Sequence, residues 1–417
     1  MIYNFFLCIY FFLCLPKYIY EYVFLKKHKK SFLYKLGFKY PVLDIPKDKD
    51  VVWIHAVSVG ETKAMQSVVK KLKSENKYVL ISNVTETGYR ESLTSLGSDT
   101  VIFMPFDFPW IMKKLLRQVN PKLVIISETD LWYNFLKYAK KLHAKVVLVS
   151  AKISLRSKNR FKKVPFFTKK LFGLIDVILT QNKEYFEFFK EIVPVSKLDI
   201  GGNLKLTSPP QKPSSEKVKH YEDLFGCINK KVITIACTHE TEEELLIKQL
   251  KDFIEKDNSL ILLAPRHPER FEKVFNLLKT FPYKVSRLSK ENEIYKNDKI
   301  ILIDTMGFLG TCYSLSDIAI LGGSFIASVG GHNILEPVFF EVPVLFGPNM
   351  YTQKELRSIV LENECGKEVL IKNVNKEVKN LLIDSNLNRY KSSCISLLNT
   401  RNDYLEKTYK KIRSFLS

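Results

Sequence analysis

The chain is poor in the residues that build stapled or metal-centred folds. Its seven cysteines (positions 8, 14, 227, 237, 312, 365 and 394) are odd in number, scattered and never spaced C-x-x-C. That excludes a disulfide framework or zinc ribbon and reads as a reduced, cytosolic protein. Its seven histidines show no H-E-x-x-H or comparable ligand spacing, so no metalloenzyme motif is present. No short repeat or low-complexity tract occurs, which excludes solenoids and fibrous assemblies. Acids are outnumbered, 44 Asp and Glu against 65 Lys and Arg, for a formal charge of +21. A negatively charged partner is implied, and nucleic acid, an anionic membrane surface and a phosphorylated substrate all qualify.

What is present is globular: 46% hydrophobic and 26% charged residues in 417, too many for one ordinary core, so two domains are expected. The first sixteen residues, "MIYNFFLCIYFFLCLP", carry no charged side chain, and Lys17, Glu21 and the run "KKHKK" follow. A signal peptide would put positive charge before the apolar run and small residues at a cleavage site, and neither is there. The run alone is shorter than the roughly 20 residues of a full span, which it reaches only if "YIYEYVFL" joins it. Residues 1–24 are therefore expected to be an uncleaved membrane anchor, with the basic flank and the body on the cytoplasmic side.

From residue 51 a strand-then-helix rhythm begins. "VVWIHAV", "YVLISNV", "VIFMPF", "KLVIISE", "KVVLVSA" and "VILTQN" are short apolar, β-branched runs. "LTSPPQKPSSEK" then breaks every period and reads as a linker over 207–218. The rhythm restarts with "VITIACT", "LILLAPR", "YKVSRL", "KIILIDT", "IAILGGS" and "VPVLFGP". Continuous apolar strands alternating with helices mean parallel sheets covered on both faces. The expected fold is α/β: two doubly wound Rossmann-like lobes, 25–206 and 219–417, with a ligand cleft between them at the carboxyl ends of the strands.

Polar residues and glycine gather where strands stop. "GGSFIASVGGHNILEP", Gly322–Pro337, holds four of only sixteen glycines in the chain. Gly330 and Gly331 would let backbone approach a ligand, and Asn333 would begin a helix whose N–H groups face a phosphate. Asn333 and Glu336 also have capping-box spacing, which stabilises a helix start without any ligand. Together with "WIHAVSVGET", "SETDLW", "QNKEYF", "GGNLKL", "CTHETEE", "PRHPERF" and "LIDTMGFLG", in this order over nearly the whole chain, the segment resembles bacterial 3-deoxy-D-manno-octulosonic acid (Kdo) transferases. The resemblance implies an inverting GT-B glycosyltransferase that moves Kdo from CMP-Kdo to a lipid A precursor at the cytoplasmic face of the inner membrane. It implies no cofactor and no protein-bound metal. The sole D-x-D, Asp48-Lys49-Asp50, sits in a charged connector.

Glu61 ends "HAVSVGE", where a carboxylate can take the proton of an attacking hydroxyl; a first-turn glutamate is equally favoured by the helix dipole alone. The resemblance makes Glu61 the catalytic base and gives Glu128 of "SETDLW" an orienting or acceptor-binding role. Asp130 and Tyr133 stand where the family usually has glutamate and proline. Arg266 offers a fork suited to phosphate. By resemblance, CMP contacts fall on Pro265 and Arg266, on Met306, Gly307 and Phe308, and on Asn333, Ile334, Leu335 and Glu336; Phe308 replaces the family's frequent glutamate. Lys205 and His239 are further cleft candidates. The stretch from Lys152 to Lys170 holds eight Lys or Arg, no acid, and Phe161, Phe166 and Phe167, which favours a membrane-surface patch over a plain solvated face. Two alternatives stay open: a GT-B enzyme using a UDP-sugar, and a basic nucleic-acid-binding protein, against which the absence of any recognition signature and the N-terminal segment both count.

Overall fold

The computed structural model describes residues 2–23, 31–38, 43–46 and 48–416. The chain forms two compact units, Met1–Ser208 with Thr400–Ser417, and Pro209–Asn399. All twelve apolar runs expected to be strands are strands. In the first unit these are β1 (Val51–His55), β2 (Tyr78–Asn83), β3 (Thr100–Phe103), β4 (Leu123–Ser127), β5 (Lys145–Ala151) and β6 (Val177–Thr180), joined at one edge by a short β7 (Leu198–Ile200). They form one parallel sheet in the order β3-β2-β1-β4-β5-β6-β7. The second unit contains β8 (Lys231–Thr238), β9 (Ser259–Pro265), β10 (Val285–Arg287), β11 (Ile300–Leu302), β12 (Ile318–Leu321), β13 (Val344–Phe346) and an edge β14 (Gly366–Glu368). Its sheet is also parallel, in the order β10-β11-β9-β8-β12-β13-β14.

The strands are apolar throughout because both sheet faces are covered. Trp53 of β1 points into one core with Leu80, Val124 and Phe135, while Val52 and Ile54 point into the opposite one with Met65, Val68 and Leu72. Successive side chains alternate faces, and each such buried side chain contributes about 1.5–3 kcal/mol. In each sheet the chain doubles back between two neighbouring central strands, β1 and β4 in the first, β8 and β12 in the second. Ligands of doubly wound sheets bind beyond the carboxyl ends of the strands at such a point. The segments carrying Glu61, Glu128, His239 and Gly322–Glu336 all start there.

The C-terminal boundary differs from expectation: residues 400–417 belong to the first unit, not to the second lobe. Tyr409, Ile412 and Leu416 join the core around Val52 and Ile54, and the Thr408 hydroxyl donates to the Gly201 carbonyl at 3.1 Å. Gly202, at φ +85°, lies flat under the Tyr404 ring, and a Cβ there would come within 2.1 Å of it. The linker is also shorter than expected, because helix Ser215–Phe225 begins inside it, capped by Ser214.

The apolar N-terminal segment is a helix, Ile2–Val23, but no helix among the described residues is long and apolar enough to cross a membrane. The helix is seated on the first unit. Tyr3 donates to Asp107 at 2.8 Å and stacks on Phe167; the Asn134 amide donates to Asn4 at 2.7 Å; Phe11 meets Phe106 and Phe108 edge-on. Phe5, Phe6, Ile9, Tyr10, Phe12 and Leu13 are exposed, an arc of about 160° at 100° per residue. The "KKHKK" flank lies outside the described residues.

The basic stretch also differs from its reading. Helices Leu155–Lys163 and Pro165–Gly173 bury Phe161 against Phe172 and Phe167 against Tyr3 and Tyr133, leaving only Phe166 outward, 83% exposed. Lys158 is buried on Glu191 at 2.5 Å and lies over the Phe188 ring. Lys162, Lys163, Lys169 and Lys170 remain on the surface.

Candidate active site

The turn after β1 is built for a carboxylate. Ser58 caps helix Val59–Ala64, its Oγ accepting from the Glu61 N–H at 3.4 Å and donating to Glu61 Oε1 at 2.9 Å. The Val57 N–H donates to Oε2 at 2.9 Å. This is a capping box, so the helix-start role foreseen for Glu61 is real. The side chain is nevertheless only 9% exposed. Burial pushes its pKa above the ordinary glutamate value, against the pull of the Val57 N–H, and the Glu128 charge pushes the same way. A poised carboxylate at a strand end is what a general base needs. The turn itself is pinned by Asn83, whose amide donates to the Ala56 carbonyl at 2.7 Å, and by Thr85, whose hydroxyl donates to Val57 at 2.9 Å.

Glu128 follows β4 with a left-handed backbone, φ +59°. That conformation costs a non-glycine residue about 1 kcal/mol or more, and such strain gathers at functional sites. Two lysines hold its carboxylate, Lys152 at 2.8 Å and Lys205 at 2.9 Å. Lys205 is one of the cleft candidates of the sequence; Lys152, part of the basic stretch, turns to the same carboxylate.

Beside these lies a buried chain of polar groups invisible in the sequence. The Trp53 indole N–H donates to Ser82 Oγ at 2.8 Å, Ser82 Oγ meets His55 Nδ1 at 2.9 Å, and His55 Nε2 meets Asp130 Oδ2 at 3.0 Å. Trp53 can only donate, so Ser82 is free to give its own proton to Nδ1, which leaves Nε2–H to donate to Asp130. The Trp132 indole also donates to Asp130, at 2.7 Å. Burial raises the Asp130 pKa, but the hydrogen bonds from His55 and Trp132 outweigh it and hold the carboxyl below its usual range. Asp130, shorter than the family's glutamate, thus serves as the partner of His55.

In the second unit Arg266 emerges exposed after Pro265 closes β9, its N–H on the Thr238 carbonyl at 3.1 Å. Met306 is 61% exposed and Gly307 takes φ +78°. Phe308 turns inward, 4% exposed, its ring edge-on to Tyr221 at 4.7 Å and under Lys217 at 5.0 Å. Its side chain packs into the core of the second unit. Ile334 and Leu335 are buried likewise, while Asn333 is exposed and Glu336 half-buried. The helix expected at Asn333 is a single turn, Leu335–Val338, and Asn333 Oδ1 accepts from the Leu335 N–H at 3.1 Å.

The glycines have a packing reason. A Cβ on Gly322 would lie 2.6 Å from Thr238 Cα, one on Gly330 2.6 Å from Tyr351, and one on Gly331 2.3 Å from Met350. The space beside Gly330 and Gly331, expected for a ligand, is filled by the protein itself. Buried Glu242 ties the loop down: Oε2 accepts from the His239 and Gly323 N–H groups at 2.9 and 2.6 Å, Oε1 from Phe325 at 3.0 Å. Glu243 grips Arg270 with two bonds, 2.7 and 3.0 Å. His239 and His332 face each other Nε2 to Nε2 at 2.9 Å. Among the described residues no three His, Cys, Asp or Glu side chains group to hold a metal ion, and Asp50 of the D-x-D is engaged by Lys77 and Lys122.

Residues 30–208 match the family model of 3-deoxy-D-manno-octulosonic-acid transferase (kdotransferase). The chain is 31% identical to the 3-deoxy-D-manno-octulosonic acid transferase of Chlamydia muridarum over 92% of its own length and 89% of that protein. It is 32% identical to that of Haemophilus influenzae over 76% of this chain and 75% of that one. Among solved structures, a glycosyltransferase from Rickettsia africae covers 89% of this chain and 99% of its own at a TM-score of 0.56 and 15% identity, a likeness of fold. The chain belongs to the 3-deoxy-D-manno-octulosonic-acid transferase family and is a Kdo transferase, a glycosyltransferase of lipopolysaccharide biosynthesis.

Proposed function

We propose that the enzyme takes Kdo from CMP-Kdo and places it on a hydroxyl of a lipid A precursor at the cytoplasmic face of the inner membrane. The observation that carries this reading is Glu61: a carboxylate 9% exposed, with its pKa raised by burial, at the carboxyl end of a central strand. Glu61 removes the acceptor hydroxyl proton as its oxygen attacks the anomeric carbon of Kdo. The new C–O bond forms on the face opposite the breaking bond to phosphate, CMP leaves with that electron pair, and the configuration inverts. Glu128, held by Lys152 and Lys205, positions the acceptor beside Glu61. Arg266 neutralises the departing phosphate, with Asn333, Glu336 and the Met306–Gly307 backbone on the nucleoside. Because cationic side chains carry the phosphate charge, chelation by EDTA leaves turnover unchanged.

Membrane attachment is part of the same reading. The outward arc of helix Ile2–Val23 is apolar, and it docks between elements that themselves expose Trp110 and Phe166. Lys113, Lys114, Lys162, Lys163, Lys169 and Lys170 are exposed on those elements. An apolar arc beside lysines suits a helix lying in the interface of an anionic leaflet. Mass spectrometry of lipid A precursor incubated with enzyme and CMP-Kdo tests the proposal. Addition of Kdo with release of CMP is expected. An unmodified acceptor, or transfer from a UDP-sugar in place of CMP-Kdo, would overturn it.

A further inference from the structure

The loops after β8, β9 and β12 bring three histidines together in the second unit. His239 and His332 meet Nε2 to Nε2 at 2.9 Å with nearly parallel rings, and the His267 ring stands edge-on to His239 at 5.2 Å between centroids. One proton suffices for this pair: one Nε2–H donates and the other Nε2 accepts. A second proton would set two N–H groups head to head. The surrounding charge opposes it too. Arg266 and Arg270 lie close enough to repel it electrostatically. Four acids nearby have other duties: Glu242 accepts three backbone N–H groups, Glu243 is bidentate on Arg270, Glu240 pairs with Lys273, and Glu269 sits at the exposed His267, 3.6 Å away; a fifth, the half-buried Glu336, acts electrostatically on Cys237 and Tyr313.

We propose that His239 and His332 form a proton-charged oxyanion subsite of the donor, which takes up one proton from solvent when an anionic group of the donor binds beside Arg266. This rests on the reading of the second unit as the CMP-Kdo site. An incoming oxyanion supplies the negative charge the cluster lacks, so the second N–H bond forms and the two rings both turn donor. The empty pair is poised for this. His332 is brought down to about 4, first by burial and then by His239, Arg266 and His267, and His239 is lowered by burial and by His267. Two donor groups carry such chemistry, the phosphate and the sugar carboxylate.

Calorimetric titrations of the full-length enzyme, in two non-phosphate buffers of different ionisation enthalpy near pH 6.5, separate these cases. The ligands are CMP, cytidine, and CMP with free Kdo, on wild type, His332→Asn and His239→Gln. Wild type should take up close to one proton more than either variant on binding the anion, and none with cytidine. A histidine-dependent uptake with CMP alone assigns the phosphate; one that needs added Kdo assigns the carboxylate. Binding with the same proton count in wild type and both variants overturns the inference while leaving the nucleotide site intact. Failure of CMP, alone or with free Kdo, to bind wild type at all overturns the nucleotide reading and this inference with it. Thermal melts of both variants without ligand confirm that they are folded.

Discussion

The two units present sites of opposite character at equivalent places in near-equivalent sheets. In the first, acids and their partners are in balance: Glu61 in its capping box, Glu128 between two lysines, Asp130 on His55. In the second, the acids are spent on structure: Glu242 and Glu243 are consumed by backbone and by Arg270, while Arg266 is exposed and the His239–His332 pair is half-buried at the strand ends. A balanced, buried network can hold and pass a proton without net charge. A cluster of arginine and uncharged imidazoles can bind a phosphate but holds no carboxylate left over to act as base. The proposed mechanism accordingly puts the base on one sheet and anion binding on the other, and each part of the proposal can be broken separately.

The largest effect is expected from Glu61→Gln, which should lose roughly 10²-fold or more in turnover, the scale of a general base, with CMP affinity unchanged within twofold. Its melting temperature at neutral pH should hold or rise. A carboxylate whose folded pKa is raised favours folding in its protonated form, and that contribution is lost as pH climbs through the raised value, so an amide removes a penalty. Next, Arg266→Ala should weaken CMP binding by about 10- to 100-fold, from the loss of charge-assisted bonds of about 1.5–3 kcal/mol, as read by calorimetry. Equal affinity in that variant would detach Arg266 from the phosphate.

A smaller effect belongs to the surface. Reversing charge at Lys163 and Lys169 removes about 1 kcal/mol of attraction per lysine to anionic lipid, so binding to anionic vesicles at low salt should drop by roughly fivefold per lysine. Lys158 and Lys162, both tied to Glu191, should have a smaller effect. High salt should abolish the difference, because these charges are screened within a Debye length. Smallest of all, Phe308→Leu should lower the melting temperature modestly while leaving CMP affinity within twofold, because the Phe308 side chain is 4% exposed and packs on Tyr221. A large loss of affinity would return Phe308 to the nucleotide site.

The sheets were legible because buried parallel strands are runs of Val, Ile and Leu, as in "VVWIH" and "LILLAP". Edge strands β7, "LDI", and β14, "GKE", carry no such run and were missed. The return of residues 400–417 to the first unit was hidden for another reason. It depends on Gly201 and Gly202 clearing room for Tyr404 and Thr408, a complementarity between segments about 200 residues apart that no local pattern encodes. Within the sites, Glu61 and Glu128 stood out at strand ends. Lys152 did not, because seven further basic residues surround it in sequence and only folding turns it inward. The histidine pair, 93 residues apart, became a pair only in three dimensions.

The pH dependence of kcat/KM tests the central claim most directly. With Glu61 as base, the wild-type rate should rise tenfold per pH unit at low pH and level off at an apparent pKa above the ordinary glutamate value, because the ionised carboxylate is the active form. Glu61→Gln should lose that limb and keep only a low, pH-independent residue of activity across the same range. A Glu61→Gln enzyme that retains the wild-type limb, at near wild-type rate, would contradict the account.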